Sequence, residues 1–158
     1  MNEKIYTEAE QLTNIETKAH IANVQKYIKI INDMLTERGL NHDQSKLHDP
    51  ELPLFTEYTN KLAKVTYGSP EYKSFLEALK PALDHHYAKN RHHPEHYKDG
   101  INDMNLVDII ELFCDWKSAT LRHNDGNLLK SIEINSKRFN IDKQLTQIFV
   151  NTAHLLDK

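Results

Sequence analysis

The chain of 158 residues is long enough for one folded domain with a buried core, and its length does not favour two domains. Its 39% hydrophobic and 27% charged residues, without any apolar run of membrane-spanning length or a signal-peptide pattern, argue against extensive disorder, a membrane span and a secretory leader. The net charge of −3 gives no reason to expect a nucleic-acid polymer or an anionic membrane as partner, and the one cysteine, Cys114, fits a reducing cytosol.

The first long segment is predicted to be helical and to end near Gly39, where a glycine cap is common. Two capping-box patterns, Thr7 with Glu10 and Thr13 with Glu16, leave open whether it is one helix or a short helix followed by a long one. Its apolar residues recur at helical spacing: Ala19, Ala22, Val24, Ile28, Ile31 and Leu35.

Two further helix starts follow a polar stretch. In Asp49-Pro50-Glu51 and in Ser69-Pro70-Glu71, a capping residue precedes a proline whose fixed φ suits the first helical turn. The second of these helices has an apolar stripe that runs through Leu79 and Leu83 to His86. The sequence therefore predicts two consecutive helices between the polar stretch and residue 90.

Residues 90–104 are predicted to be a loop, and three helices follow it. They begin near Asn105, near residue 128 and near residue 142, and the last two end at about 139 and 156. No stretch alternates with a two-residue period for long enough to predict a strand, and no repeat or linker divides the chain. We therefore predict an all-α bundle of about six helices in a single domain, residues 1–158.

The histidines are the unusual feature of the composition, since seven of the ten fall within residues 42–96. Neutral imidazoles together with carboxylates suit a borderline divalent metal such as Fe, Mn, Ni or Zn. Six candidate ligands exceed what one structural zinc ion uses, whereas two ions bridged by one Asp would use all six and leave positions for water and substrate. The predicted metal ligands, in chain order, are His20, His42, Asp43, His86, His93 and Asp115.

For two of these ligands, the sequence leaves a choice between two adjacent histidines. His86 is preferred to His85 because it continues the apolar stripe of its helix. The choice between His92 and His93 is nearly even. We expect the residues not used as ligands, His85 and His92, to lie in the layer that surrounds the ligands.

Three carboxylates share one face of the fourth predicted helix. Asp108, Glu111 and Asp115 occur at i, i+3 and i+7, which is ordinarily the solvated side of an amphipathic helix. With Asp115 as a ligand, we expect Asp108 and Glu111 to accept hydrogen bonds from ligand imidazoles.

Several runs resemble the HD-domain superfamily of metal-dependent phosphohydrolases, in particular its two-metal subgroup. His42-Asp43-Gln44-Ser45-Lys46 resembles the family run His-Asp-x-Gly-Lys, with Ser45 in place of Gly, and Pro50-Glu51 resembles its Pro-Asp. The segment 92–100 resembles the His-His-Glu…Asp-Gly stretch of cyclic-dinucleotide phosphodiesterases, and 111–115 resembles the helix that supplies the last Asp. The chain also looks like a small group of short phage and bacterial proteins with His-His-Pro-Glu-His and Asp-Trp signatures.

The resemblance implies a hydrolase for a small phosphate ester, a nucleotide or nucleotide-derived signal, that uses a metal-activated hydroxide. It implies that Lys46 neutralises the phosphoryl oxygens, that His96 protonates the leaving group and that Arg91 binds a phosphate. No Gly-Tyr-Pro follows Asp99-Gly100, so this motif does not support a cyclic-dinucleotide substrate.

Other functions fit the same residues. A di-iron oxygenase of the HD type uses a similar ligand set, and iron-dependent oxygen consumption would identify it. A non-catalytic module that binds metal, a nucleotide or a host protein would suit a phage-encoded chain. A homodimer also stays open, because the C-terminal amphipathic helices can pack within or between chains. The expected compartment is the cytoplasm of a bacterium or of a phage-infected host.

Overall fold

A computed structural model of the chain describes residues 6–62, 64–66, 69–122 and 126–156. Within these residues it is built from helices and contains no strand, which confirms the prediction of an all-α fold. The α-helices are α1 (Glu8–Asn41), α2 (Glu51–Leu62), α3 (Pro70–Lys89), α4 (Leu106–Thr120), α5 (Leu128–Arg138) and α6 (Lys143–Leu156). Short 3-10 helices span Gln44–Leu47, Pro94–His96 and Gly100–Asp103.

The first segment is one continuous helix of 34 residues. The Thr7–Glu10 capping box forms at its start, whereas Thr13 lies inside the helix and donates its hydroxyl proton to the Ala9 carbonyl. The predicted end at Gly39 is wrong, because α1 continues to Asn41 and is capped at His42. A helix of this length is about 50 Å long and extends well beyond the helices that pack on it.

The hydrophobic core lies between α4, α5 and α6. The ring of Phe149 stacks on Phe113 at a centroid distance of 5.6 Å and meets the ring of Trp116 edge-on at 5.4 Å. Trp116 is buried in this core, as is common for a Trp beside the apolar face of a helix. The buried core residues are Leu112, Phe113, Trp116, Leu128, Ile132, Phe149 and Ala153.

A second packing unit brings the predicted ligands together. Helix α2 packs along α3, and the C-terminal part of α1 packs against α4. The segment after α3 folds back over α4 through the 3-10 helix Pro94–His96. The end of α1, the start of α2, the end of α3 and the polar face of α4 therefore meet at one place. No helix in the described residues is both long and apolar enough to cross a membrane.

Candidate metal centre

Asp43 lies at the centre of the site because of its backbone conformation. It connects α1 to the 3-10 helix Gln44–Leu47 with a φ of 56°, in the left-handed region that Asp tolerates better than most residues. Its Oδ1 is buried without a hydrogen-bond partner in the described part of the chain. His86 Nε2 lies 3.3 Å and His92 Nε2 3.6 Å from this Oδ1.

Glu51 holds two of the histidines by their Nδ1 atoms. It is the first residue of α2 and is completely buried. Its Oε1 accepts from His85 Nδ1 at 2.7 Å and its Oε2 from His86 Nδ1 at 2.8 Å. A proton on Nδ1 leaves the lone pair of the ring on Nε2, so the Nε2 of His86 faces Asp43 as a free acceptor.

Glu111, like Glu51, contacts two histidines by their Nδ1 atoms. Its Oε1 lies 3.0 Å from His42 Nδ1 and 3.1 Å from His92 Nδ1. The Nε2 atoms of these two rings face the carboxylates of Asp43 and Asp115, with His42 Nε2 at 3.7 Å and 3.6 Å from them. The prediction that Glu111 accepts from ligand imidazoles agrees with this geometry.

His93 closes the cluster from the side of the loop. Its Nε2 lies 2.9 Å from His86 Nε2, and the His86 and His93 rings are 4.8 Å apart. His92 and His93 therefore both face the site, and the geometry does not select one of them. Two groups of side chains bring their ligand atoms within 4.8 Å of one another: Asp43, His86, His92 and His93, and His42, His92 and Glu111.

The charge of the site is dominated by ionised carboxylates. Hydrogen bonds to Asp115 and Glu111 raise the pKa of His42 to about 10. Burial alone would raise the pKa of Glu111, but the hydrogen bonds from His42 and His92 outweigh it and lower that pKa to about 2. Burial, together with neighbouring imidazoles, lowers the pKa of His93 to about 3. The carboxylates thus attract positive charge, whereas the half-buried imidazole of His93 stays neutral and able to coordinate.

These residues fit a divalent ion. Two ligand atoms about 2.1 Å from one ion lie about 3.0 to 3.4 Å apart at octahedral or tetrahedral angles. The separations of 2.9, 3.3 and 3.6 Å that join His86, His93, Asp43 and His92 fall around this range. An unpartnered buried carboxylate oxygen with two imidazole Nε2 atoms facing it is costly unless a cation satisfies all three.

His20 does not belong to this cluster, and its assignment as a ligand is corrected. It is exposed on α1, and 22 residues of continuous helix separate it from His42, or about 33 Å. The other predicted ligands, His42, Asp43, His86, His93 and Asp115, are brought together.

The roles predicted for Asp108 and Arg91 are also corrected. Asp108 is completely buried and contacts no imidazole among the described residues. It accepts from Arg91 Nη2 at 3.0 Å, contacts Arg38 Nη2, and caps α4 by accepting from Asn105 N. Arg91 is therefore paired with Asp108, two turns from Asp115 along α4, instead of being directed at the metal cluster.

Two other predicted catalytic residues differ in their positions. Lys46 lies at the edge of the cluster, with Nζ donating to Asp43 Oδ2 at 2.7 Å and the side chain about one third exposed. His96 donates from Nδ1 to the Tyr87 carbonyl at 2.7 Å, and no polar contact joins it to the cluster in the described chain. The structure thus brings Lys46 to the site but not His96.

Asp108→Asn is expected to lower the free energy of unfolding by about 2 to 3 kcal/mol, because it removes the buried carboxylate that pairs with Arg38 and Arg91 and leaves the largely buried Arg38 only its pair with Glu111. Urea unfolding followed by circular dichroism measures this change. The matched control is Asp84→Asn, which breaks an exposed pair with Lys80 and should cost less than about 0.5 kcal/mol. Equal effects of the two substitutions would contradict a structural role for Asp108.

Two cavities open beside the cluster, on either side of Asp115. The larger, about 460 Å³, lies between α1 and α4 and is mostly apolar; its lining includes Leu35, Gly39, Ile110 and Cys114 as well as Arg38 and His42. The smaller, about 200 Å³, lies between His93 and α5, and three polar side chains of α5 line it at i, i+4 and i+7: Ser131, Asn135 and Arg138.

The sequence reasoning missed several residues that support the site. Glu51 follows a proline at a helix start and belongs to the Pro-Glu match, but neither feature indicates that its carboxylate contacts imidazoles. Arg38 precedes His42 by four residues, a spacing that places both on one helix face and was a usable signal. The polar row of α5 had no local signal, because only the tertiary fold places it beside His93.

The fold and site define an all-α protein with a candidate metal centre of imidazoles and carboxylates. The chain belongs to a family of unknown function, DUF5662, whose model matches residues 9–156. Comparison with curated proteins and with solved structures gives no match. The family is therefore defined without an assigned activity, and the function must be inferred from the site itself.

Proposed function

We propose that the chain is a metal-dependent phosphohydrolase of the HD-domain type that acts on a small phosphate ester, a nucleotide or nucleotide-derived signal. The observation that carries the proposal is the inward orientation of two imidazole Nε2 atoms, those of His86 and His92, around the unpartnered Oδ1 of Asp43. Two divalent ions, Fe, Mn, Ni or Zn, are proposed as cofactors. The residues that would hold them are His42, Asp43, His86, His92, His93 and Asp115.

Asp43 is proposed to bridge the two ions, because its two oxygens face different partners. Oδ1 faces His86 and His92, whereas Oδ2 faces His42 and Lys46. Glu51 and Glu111 fix the ring orientations through the Nδ1 atoms, which is the usual role of carboxylates around a metal site. Bound divalent ions would supply Lewis acidity and lower the pKa of a coordinated water.

Lys46 and the polar row of α5 are the proposed substrate contacts. Lys46 is half-buried at the rim, where its ammonium can neutralise charge on phosphoryl oxygens. Across the smaller cavity lie the amide of Asn135 and the guanidinium of Arg138. The Nη2 of Arg138 donates a hydrogen bond to Glu95 Oε1 at 2.8 Å. A guanidinium is suited to bind a phosphate or carboxylate by two parallel hydrogen bonds. The cavity's polar wall favours a substrate with several polar groups.

Lys46→Met is expected to lower kcat for phosphate release by about 100- to 1,000-fold, the usual effect of removing one preorganised group that stabilises developing charge. Bound metal per chain should stay at the wild-type value, since Lys46 is not a ligand. The assay is phosphate release from nucleoside mono-, di- and triphosphates by protein loaded with Mn or Fe. Lys61→Met, which removes an exposed lysine paired with Glu57, is the matched control and should leave kcat unchanged.

Absence of phosphate release from every ester, with every metal ion, would overturn the hydrolase proposal without contradicting metal binding at the site. Oxygen consumption by the iron-loaded protein would instead assign the oxygenase chemistry to the same ligands. A kcat unchanged by Lys46→Met would remove this residue from the proposed mechanism.

A further inference from the structure

Helix α1 carries an apolar stripe that the rest of the described chain does not cover. No residue of this 34-residue helix is buried. Five apolar residues follow one another at alternating spacings of three and four: Ile21, Val24, Ile28, Ile31 and Leu35. The first four side chains are 47%, 42%, 56% and 39% exposed. Alternate spacing by three and four is the heptad pattern of a helix that packs lengthwise against another helix.

The same spacing continues into the candidate metal centre. Arg38 and His42 follow Leu35 at intervals of three and four, and all three line the larger cavity against α4. Helix α4 therefore covers the stripe only at its C-terminal end. The part from residue 21 to residue 34 extends past α4 without a covering helix in the described residues.

We propose that this stripe is the interface of a homodimer in which two copies of α1 pack antiparallel. In a parallel pair, Arg38 would face Arg38 and His42 would face His42 across the seam, next to two copies of α4 crowded at one end. An antiparallel pair sets apolar residues of one copy against apolar residues of the other and separates the two globular ends. The interface is isologous, as a twofold dimer requires.

The exposed surface is sufficient for such an interface. The four exposed stripe residues, with the flanking Tyr27 at 63% and Met34 at 49% exposure, present on the order of 600 Å² of side-chain surface per copy. Two copies would bury on the order of 1,200 Å², which reaches the lower end of specific stable interfaces.

Antiparallel packing also completes the larger cavity beside the metal centre. Because the site is at the C-terminal end of α1, the N-terminal half of the second copy's helix, residues 10–21, runs past residues 35–42. This stretch carries polar side chains on the continuation of the stripe, among them Asn14 and Thr17. The inference does not depend on the proposed activity.

Light scattering on the full-length chain tests the proposal, with an expected mass of twice the 18.5 kDa of one chain. Ile28→Glu, in the middle of the stripe, is expected to give the monomer mass with an unchanged helical circular dichroism signal. The matched control is Ile30→Glu: Ile30 is 43% exposed on the opposite side of the same helix, and this variant should stay dimeric. A monomeric wild-type chain, or dissociation by Ile30→Glu but not by Ile28→Glu, would overturn the interface.

The antiparallel direction has a separate test. A spin label at Glu16→Cys, in a chain that also carries Cys114→Ser, is expected about 30 to 40 Å from its copy in an antiparallel pair. A parallel pair would place the two labels about 10 to 15 Å apart, and that distance would overturn the proposed closure of the cavity.

Discussion

Replacing both His42 and Asp43 with alanine is expected to reduce bound divalent metal to less than about a tenth of the wild-type value while the helical circular dichroism signal is retained. The two residues contribute an imidazole and both carboxylate oxygens around which the other imidazoles converge. Both lie after the end of α1, so their loss affects at most the last turn of α1 and leaves the other α-helices in place. Elemental analysis of the purified variant, beside its circular dichroism spectrum, is the measurement.

The chain supplies a matched control for this double substitution. His48-Asp49 is a second His-Asp pair six residues further on, and both of its residues are exposed. Alanine at both positions removes the same side chains outside the cluster and should leave the metal content unchanged. Retention of metal by the His42/Asp43 variant would show that the ligand assignment is wrong at its centre.

Glu51→Gln is expected to weaken metal affinity by about 10- to 100-fold, which is the usual cost of losing a carboxylate that orients a ligand imidazole. The buried carboxylate accepts from both His85 and His86. An amide of the same shape offers only one accepting oxygen, so its NH₂ group meets the Nδ1–H of one ring. The His86 ring then loses the contact that keeps its Nε2 directed at Asp43.

Competition with a chromophoric chelator measures the affinity of this variant. Glu57→Gln, on the same helix as Glu51 and exposed, is the control and should bind metal like the wild type. Equal affinity in Glu51→Gln and the wild type would contradict the account in which Glu51 orients His86.

The helical fold was predictable because its signals are local. The helix start at Ser69-Pro70 is found where its capping pattern predicts it, with the Ser69 hydroxyl accepting from Tyr72 N. The end of α1 was not predictable from Gly39, because a glycine also fits inside a helix, at a cost of about 1 kcal/mol. Here the contacts of Arg38 and His42 with α4 hold the helix for two further residues.

The site was predictable in its residue types and only partly in their roles. The pairs His85-His86 and His92-His93 differ by one position, and spacing along the chain does not show which ring faces inward. In the structure Glu51 contacts both His85 and His86, of which His86 also lies 3.3 Å from Asp43, and Glu111 contacts His92. Contacts between residues 35 and 19 positions apart in the chain depend on the tertiary fold, so sequence patterns alone could not give them.

Asp108 and Glu111 show the same limit on one helix. They lie one turn apart and share the face that was predicted to serve the imidazoles. Glu111 contacts His42 and His92, whereas Asp108, at the first turn of α4, caps the helix and binds two arginines. The position of Asp108 relative to the helix start decides its role, since first-turn carboxylates are drawn to the free backbone N–H groups.

The central claim is that the imidazole and carboxylate cluster around Asp43 holds divalent metal. Elemental analysis of the wild-type chain, purified without an affinity tag so that no additional histidines contribute, tests it most directly. We predict close to two equivalents per chain of Fe, Mn, Ni or Zn. A chain that holds no metal, even after incubation with an excess of each of these ions followed by desalting, would contradict the claim.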